Sequence, residues 1–434
     1  MKTAEDQTAR PTVSRRLADG RVVELIYDPA ARTTGFAVGA PSGEIELVDT
    51  VLVSETERLT PYSPDNNLIT TGCVLLPSAP EPFGDKATLL AEIGRYLRAY
   101  VDLSPEFEVI AAHYALLSWV YDAFNEVPYL RFRGDYGTGK TRALLTLGAT
   151  CYKPFFASGA STVSPIFHIL DAFAGTLVLD EADFRFTDAT AGLTKILNNG
   201  NVAGLPVLRS VPNRHKEYSP RAFRVFGPKL VGMRERFADD ALESRFLTEE
   251  TGLRPLRPDI PVQTPPELHR DALGLRNKLL SWRLQTLATV DVRPDRAVAD
   301  VDARHNQVAL PLLSLMDAPN DRDALAARLR VDQARLDQAR ADSFEALVVR
   351  SALELMTQSV GDVRLAHLVE RVSRAAPDRS VTPKWLGWLL RTRLQVPTQR
   401  MGGVYVVPAG ERGHLEALAR RYRLTISEPS GREG

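Results

Sequence analysis

Gly134-Asp-Tyr-Gly-Thr-Gly-Lys140-Thr141 fits the pattern G-x-x-x-x-G-K-[ST]. Residues 129–133 before it predict a short strand, and residues 142–147 after it predict a helix. Glycines let backbone N–H groups turn inward around phosphate oxygens, and the N-terminus of the following helix favours an anion. The sequence therefore predicts a phosphate-binding loop between a strand and a helix.

The motif assigns roles to individual side chains in binding ATP and Mg²⁺. Lys140 is expected to contact the β- and γ-phosphates, and the hydroxyl of Thr141 is expected to ligate Mg²⁺. The expected nucleotide-binding residues are Gly134, Asp135, Tyr136, Gly137, Thr138, Gly139, Lys140 and Thr141.

A second motif follows an apolar run at residues 176–179 and consists of Asp180 and Glu181. An uninterrupted apolar run is typical of a central strand buried on both faces. Its carboxylates would emerge at the carboxyl end of the strand, beside the phosphate loop. We expect Asp180 to hold Mg²⁺ and Glu181 to act as the general base on the attacking water.

A later strand, expected at residues 224–232, ends at Met233-Arg234. A polar side chain at this place could sense the γ-phosphate, so Arg234 is a candidate catalytic residue. Further on, Ser244-Arg245-Phe246 places an arginine after a short helical turn. An arginine that neutralises charge in the transition state of phosphoryl transfer accelerates the reaction by roughly 10³–10⁵.

With these motifs the chain resembles the ring-forming AAA+ helicases, of the minichromosome-maintenance (MCM) type and the MCM-like ATPases encoded with primases on phages and mobile genetic elements. The resemblance implies that Arg245 is an arginine finger for the neighbouring subunit's site. It also implies that Arg304 is a second sensor on a lid helix, with Arg276 and Arg283 as alternatives. The chain departs from the family in having Met233-Arg234 where Asn or Thr is usual, and in lacking zinc-binding cysteines near its N-terminus.

The expected fold class is α/β: an AAA+ P-loop core with a parallel sheet, helices on both of its faces and a helical lid. Alternating β-type runs between residues 13 and 76 predict an amino-terminal β module, either without chemistry of its own or as a DNA-facing or oligomerisation collar. The expected segments are 1–12 disordered, 13–76 β module, 77–128 linker and helices, 129–335 core and lid, 340–410 winged helix, and 411–434 C-terminal helix and tail.

Two places are candidates for contact with DNA. Residues 206–211 and 218–226 predict a hairpin just before Arg234, the candidate first sensor of the γ-phosphate. The turn of this hairpin carries Arg214, His215 and Lys216. Such cations suit phosphate contacts, although a solvated charged turn has the same composition. Residues 361–434 hold 13 Lys+Arg and 7 Asp+Glu, a formal charge of +6. In the winged helix expected at residues 340–410, the expected DNA-binding residues are Lys384, Arg391 and Arg393. A winged helix could instead contact protein.

Whole-chain properties limit the class of protein. Lys+Arg and Asp+Glu both number 54, so nucleic acid would bind to a local patch. Cys73 and Cys151 form no metal-ligand spacing, and no apolar run suits a membrane span, so a cytoplasmic protein without membrane contact is expected. The sequence favours a DNA helicase or translocase acting on single-stranded or forked DNA. The resemblance implies a homo-hexamer and a primase or polymerase as its partner. The alternative is an AAA+ regulator or loader that switches assembly on DNA or recruits a partner.

Overall fold

The computed structural model describes residues 8–159, 161–180, 188–212, 218–237, 239–358 and 361–424. The chain divides into two compact units, residues 1–330 and 331–434. No helix within the described residues is long and apolar enough to cross a membrane.

The first unit begins with short strands in two sheets of the described chain. They are β1 (Thr8–Thr12), β2 (Ser14–Arg16), β3 (Val22–Asp28), β4 (Thr33–Gly39), β5 (Ile45–Val48), β6 (Val51–Leu52) and β7 (Glu57–Pro61). The sheet orders are β2-β3-β4-β5 and β1-β7-β6, and β1 runs parallel to β7. The expected disorder of residues 1–12 is therefore wrong for residues 8–12, because pairing with β7 satisfies their backbone groups. Residues 1–7 lie outside the described residues.

Helices connect this β region to the core. They are α1 (Asn67–Thr70), α2 (Lys86–Tyr100) and α3 (Pro105–Val120). A β run expected at residues 68–76 is wrong for its first half, since Asn66 caps α1 by accepting a hydrogen bond from the backbone N–H of Leu68 (2.9 Å). Ser104 caps α3, and Pro105 occupies its first turn.

The core alternates strands and helices. Its elements are β8 (Tyr129–Arg133), α4 (Lys140–Gly148), β9 (Phe155–Ser158), α5 (Val163–Phe173), β10 (Leu177–Asp180), α6 (Asp188–Asn199), β11 (Val207–Pro212), β12 (Tyr218–Phe223), β13 (Lys229–Met233), α7 (Asp240–Glu243) and β14 (Phe246–Glu250). The core sheet has the order β14-β8-β13-β10-β9, and all its neighbouring strands are parallel. The predicted parallel sheet is thus confirmed.

Helices cover both faces of this sheet. Leu130 and Phe132 of β8 pack in one apolar cluster with α3 and α4, whereas Tyr129 packs in another cluster with α5 and α6. Successive strand residues point to opposite faces, so this division places helices on each side. Burial on both faces also explains why the first three residues of β10, Leu177 to Leu179, are all apolar.

The first unit ends in helices that pack on those preceding the core. These are α8 (Glu267–Thr286), α9 (Ala303–Leu315) and α10 (Pro319–Ala341), and the boundary between the units falls within α10. Buried side chains of α8 and α9 belong to the same apolar cluster as those of α2 and α3. The lid helices and the segment 77–128, expected as separate parts, therefore share one core.

A buried group of charges ties the β region to this helical layer. Glu24 of β3 accepts hydrogen bonds from the ammonium group of Lys153 (2.6 Å) and from Nε of Arg283 in α8 (2.7 Å). The guanidinium group of Arg283 also binds the carboxylate of Asp122 (2.7 and 2.9 Å). Glu24, Lys153 and Arg283 are each 1% exposed. The β region is consequently part of the first unit rather than a separate module.

The second unit contains helices and a small antiparallel sheet. Its elements are α11 (Phe344–Gln358), β15 (Val363–Arg364), α12 (Leu365–Ala375), α13 (Pro383–Thr392), β16 (Gln399–Met401), β17 (Val404–Val407) and α14 (Arg412–Arg421). The strand order is β15-β17-β16. Leu415 and Leu418 of α14 belong to the same buried core as α11, so α14 joins this unit instead of forming part of a separate tail.

Candidate active site

The phosphate loop connects β8 to α4 at the carboxyl edge of the core sheet. Gly137 and Gly139 have φ of +77° and +90°, a region in which residues with a Cβ are strained. Lys140 begins α4, and its ammonium group donates hydrogen bonds to the carbonyl groups of Gly134 and Asp135 (both 2.7 Å). The loop thus has the backbone conformation and the cation that a phosphate site requires.

A turn after β14 supports this loop. The hydroxyl groups of Thr138 and Thr251 are hydrogen-bonded at 2.8 Å. A Cβ on Gly134 would lie 2.5 Å from the carbonyl oxygen of Thr251, and one on Gly252 would lie 2.5 Å from Cγ2 of Thr138. Sequence reasoning missed Thr251-Gly252, although a glycine directly after an expected strand is a turn signal.

The two expected metal ligands lie side by side. The hydroxyl of Thr141 donates a hydrogen bond to Oδ2 of Asp180 (2.6 Å). Gly232 on the neighbouring β13 makes room for this carboxylate, because a Cβ there would lie 2.9 Å from Oδ1 of Asp180. Mg²⁺ prefers oxygen ligands and usually takes one or two from protein beside phosphate oxygens and water. A hydroxyl and a carboxylate at the phosphate loop fit that preference.

A cavity of about 810 Å³ opens over the loop. Of the expected site residues, those lining it are Tyr136, Gly137, Thr138, Gly139, Lys140, Thr141, Asp180 and Arg234. Arg234 follows β13, so the parallel sheet brings it to the same edge as Asp180. Glu181 lies outside the described residues.

The far wall of the cavity comes from residues that the sequence reasoning did not identify. Arg142 of α4 donates hydrogen bonds to the carbonyl groups of Pro261 and Val262, which fixes that segment over the helix. The side chains of Leu253 and Val262 line the cavity while remaining 77% and 95% exposed. This apolar wall lies beside the phosphate loop and suits the uncharged end of a nucleotide.

Arg245 and Arg304 lie together, away from this cavity. Arg245 precedes β14 at the amino edge of the sheet, and its guanidinium group donates to the side-chain oxygen of Asn198. Arg304 donates to the hydroxyl of Ser244 (2.6 Å) and to the carbonyl group of Ala241 (3.0 Å). The strand β14 alone spans about 13 Å, so Arg245 cannot reach the phosphate loop of its own chain.

Burial affects the charges around Arg245. Burial lowers the pKa of Arg245, although the side chains of Tyr129, Asp239 and Glu126 act in the opposite direction. Burial also raises the pKa of Glu126, which accepts a hydrogen bond from Gln307 (2.5 Å). Arg245 is therefore half-buried and held in position by its neighbours rather than freely solvated.

The alternatives for the second sensor have structural partners instead. Arg283 belongs to the buried Glu24 group, and Arg276 donates to the carbonyl groups of Leu76 (3.2 Å) and Ala149 (2.7 Å). Neither side chain lines the cavity over the phosphate loop.

The expected DNA-contacting residues fall in two places. β11 and β12 form an antiparallel hairpin with Ser210 opposite Pro220, while Arg214, His215 and Lys216 lie outside the described residues. Asp171 of α5 holds the hairpin by accepting hydrogen bonds from Arg221 (3.0 Å) and the backbone N–H of Arg224 (3.2 Å).

In the second unit, Lys384 and Arg391 line a separate cavity. Arg393 lies at the C-terminus of α13, is exposed and does not line that cavity.

Comparisons with known proteins found limited similarity. No family model and no curated protein matches the chain. Among solved structures, the C-terminal region of NrS-1 is 11% identical over 88% of this chain and 95% of that one, with a TM-score of 0.38. The active helicase Cch of SCCmec type IV is 10% identical over 94% and 80%, with a TM-score of 0.40. The JCV helicase is 18% identical over 58% and 61%, with a TM-score of 0.24.

Proposed function

We propose that the protein is an AAA+ ATPase that binds ATP and Mg²⁺ at residues 134–141. The observation that carries this proposal is the contact of the Thr141 hydroxyl with the carboxylate of Asp180 (2.6 Å), directly after a loop in which Gly137 and Gly139 adopt positive φ. A hydroxyl, a carboxylate and an ammonium group converge there at the N-terminus of α4. This combination suits a nucleotide polyphosphate and its metal better than any other common ligand.

Each side chain then has a role in hydrolysis. Lys140 would exchange the carbonyl groups of its own loop for the β- and γ-phosphate oxygens, and Thr141 and Asp180 would hold Mg²⁺. Glu181 accepts a proton from the attacking water, whose oxygen forms the new bond to phosphorus as the bond to ADP breaks. Arg234 lies close enough to the site to bind the terminal phosphate. Bound Mg²⁺ supplies neutralisation of the charge on the phosphates.

The site requires a second copy of the chain. Arg245 and Arg304 lie together at the edge of the sheet opposite the phosphate loop, and their proposed role is to act on a neighbour's nucleotide. Contact between opposite edges is a heterologous interface, and such an interface generates a ring when the rotation between subunits closes. A ring of six copies is the form that the resemblance to ring-forming AAA+ helicases implies.

DNA is the proposed substrate of the motor. The hairpin β11–β12 projects before the first-sensor strand, and its turn carries Arg214, His215 and Lys216 for phosphate contacts. The second unit, with its three-stranded sheet and α13, is proposed as a winged helix. Together these features favour a helicase or translocase. The resemblance to MCM-like ATPases implies a role in the replication of a phage or mobile element, in which a primase or polymerase would act on the exposed strands.

Steady-state ATP hydrolysis with and without forked DNA tests this function, with Glu181→Gln as the blank. We expect hydrolysis that DNA stimulates strongly and that the blank abolishes. Hydrolysis indifferent to any DNA, in an assembled preparation, would reject the motor and favour the alternative of a regulator or loader. Absence of hydrolysis under all these conditions would reject the ATPase itself.

A further inference from the structure

We propose that a cavity in the second unit binds one nucleotide of a single-stranded nucleic acid, with the phosphate among its cations and the base on Tyr405. This inference adds a defined site to the proposed action on DNA and rests on that function for its biological context. The cavity lies within residues 331–434 and is separate from the phosphate loop.

The cavity is built where two helices begin. The first turns of α12 and α13 and the strand β17 enclose a volume of about 490 Å³, in the range of small-ligand sites. Its polar and aromatic lining residues are Arg364, His367, Lys384, Arg391 and Tyr405. Both helix N-termini favour an anion, and the side chains add cationic groups at the same place.

The charge of the cavity has one sign. Arg364, Lys384 and Arg391 are cations, and none of the described residues lining the cavity is acidic. By contrast, two cations elsewhere in this unit are in ion pairs, Arg371 with Glu354 and Arg374 with Glu370. Three cations around one concavity repel each other, and an anion inside it would relieve that repulsion. A phosphodiester has the required charge and several acceptor oxygens.

One of these cations is already held in position. Nη1 of Arg391 donates a hydrogen bond to the hydroxyl of Thr398 (2.6 Å). The same atom would lie 3.1 Å from a Cβ built on Gly387, so the guanidinium group lies over this glycine. Gly387 therefore leaves space for Arg391 on the cavity side of α13. A positioned guanidinium group loses less side-chain entropy when it binds a phosphate.

Tyr405 supplies a surface for a base. It lies on β17, lines the cavity and is 52% exposed. Bases of single strands stack on exposed aromatic side chains, and the contact tolerates any base because each has a π-face. The aromatic ring beside a cationic pocket matches the two ends of one nucleotide.

The surface of α13 favours a single strand over a duplex. The side chains of Trp385 and Trp388 on α13 are 38% and 46% exposed. The ring of Trp385 packs edge-on against that of Phe344, with the ring centroids 5.3 Å apart. Indole rings offer few of the donors and acceptors that read base edges in a major groove. The cations Lys384 and Arg391 line the concavity, which a splayed nucleotide enters but a stacked base pair does not.

Photo-cross-linking of the full chain tests the site directly. An oligothymidine carrying 5-iododeoxyuridine is irradiated with the protein in the absence of ATP, and the attached peptide is identified by mass spectrometry. We expect attachment at Tyr405. In parallel fluorescence anisotropy, Tyr405→Ala weakens binding by roughly 5- to 150-fold, and Arg391→Gln lowers the slope of log K against log salt concentration by about 0.7.

Matched variants keep the test specific. Arg374→Gln removes an equal charge from α12 outside the cavity and should leave affinity and slope unchanged. Tyr405→Phe keeps the ring and should keep binding, which separates stacking from misfolding. Cross-links only at other residues, equal effects of Arg391→Gln and Arg374→Gln, or equal competition by free thymidine monophosphate would each overturn the proposal. Cross-linking at Tyr405 without ATP hydrolysis would reject only the motor, and stimulated hydrolysis without that cross-link would reject only this site.

Discussion

Glu24→Gln tests whether the amino-terminal strands are integral to the ATPase unit. The carboxylate of Glu24 is 1% exposed and accepts hydrogen bonds from Lys153, Arg283 and the hydroxyl of Tyr152 (2.9 Å). Burial acts to raise the pKa of Glu24, but the charges of Lys153 and Arg283 outweigh it and hold this pKa below its usual 4.5. The variant keeps the shape of the side chain and removes its charge.

The expected loss follows from what remains buried. Arg283 keeps the carboxylate of Asp122, whereas Lys153 keeps only the carbonyl group of Val13 (3.0 Å) and the hydroxyl of Tyr152 (2.7 Å). Removing one partner of a buried ion pair costs about 3–5 kcal/mol because it leaves an uncompensated charge. Most domains have only about 5–15 kcal/mol of stability, so the change would be large.

Urea unfolding followed by tryptophan fluorescence measures this loss. Trp119 is buried beside Tyr152, with ring centroids 5.2 Å apart, so it reports on the same region. Glu46→Gln on exposed β5 is the control and should change the free energy of unfolding by less than about 0.5 kcal/mol. Glu24→Gln/Lys153→Met removes both charges and should recover part of the loss. If Glu24→Gln changed the free energy of unfolding as little as Glu46→Gln does, the claim that the amino-terminal strands are integral to the ATPase unit would be refuted.

The dependence on pH has a defined sign. Because the folded-state pKa of Glu24 lies below 4.5, its ion pairs contribute stability above about pH 4.5. This contribution is lost as the pH falls through the folded-state pKa. Glu24→Gln should therefore flatten the acid limb of a plot of unfolding free energy against pH, and an unchanged limb would contradict the assignment.

Three further predictions concern the site. Gly232→Ala would place a Cβ 2.9 Å from the carboxylate of Asp180 and should lower turnover by about tenfold or more, whereas Gly274→Ala, which faces open space, should not; steady-state assays compare them. Arg245→Ala should keep ATP binding and lose roughly 10³-fold or more in hydrolysis, and wild-type turnover would disprove the finger. Arg214→Ala/Lys216→Ala should keep basal hydrolysis but lose its stimulation by DNA, and intact stimulation would exclude the hairpin grip.

The local sequence was sufficient to predict an element wherever one short segment contains all the residues that determine it. The glycines of the phosphate loop, the apolar run before Asp180 and the helix Phe344–Gln358 all follow from patterns within a few residues. The hairpin of β11 and β12 was also predictable, because two β-type runs flank a short polar segment.

Contacts between distant segments could not be predicted in this way. The polar strand Thr8–Thr12 forms because it pairs with Glu57–Pro61, and no local property of residues 8–12 indicates that partner. The buried charges of Glu24 and Arg283 are 259 residues apart in sequence. Arg142 and Thr251 support the nucleotide cavity through tertiary contacts alone, which is why motif reading found the loop and missed its supports.

A subunit-mixing experiment tests most directly whether ATP is hydrolysed between two copies of this chain. Lys140→Ala retains the finger and Arg245→Ala retains the phosphate loop, so each alone should be inactive. In an equimolar mixture that assembles at random, about a quarter of the interfaces combine an intact loop with an intact finger. We predict recovery toward about a quarter of wild-type hydrolysis. No recovery in a mixture whose co-assembly is verified by native mass spectrometry would contradict a shared site.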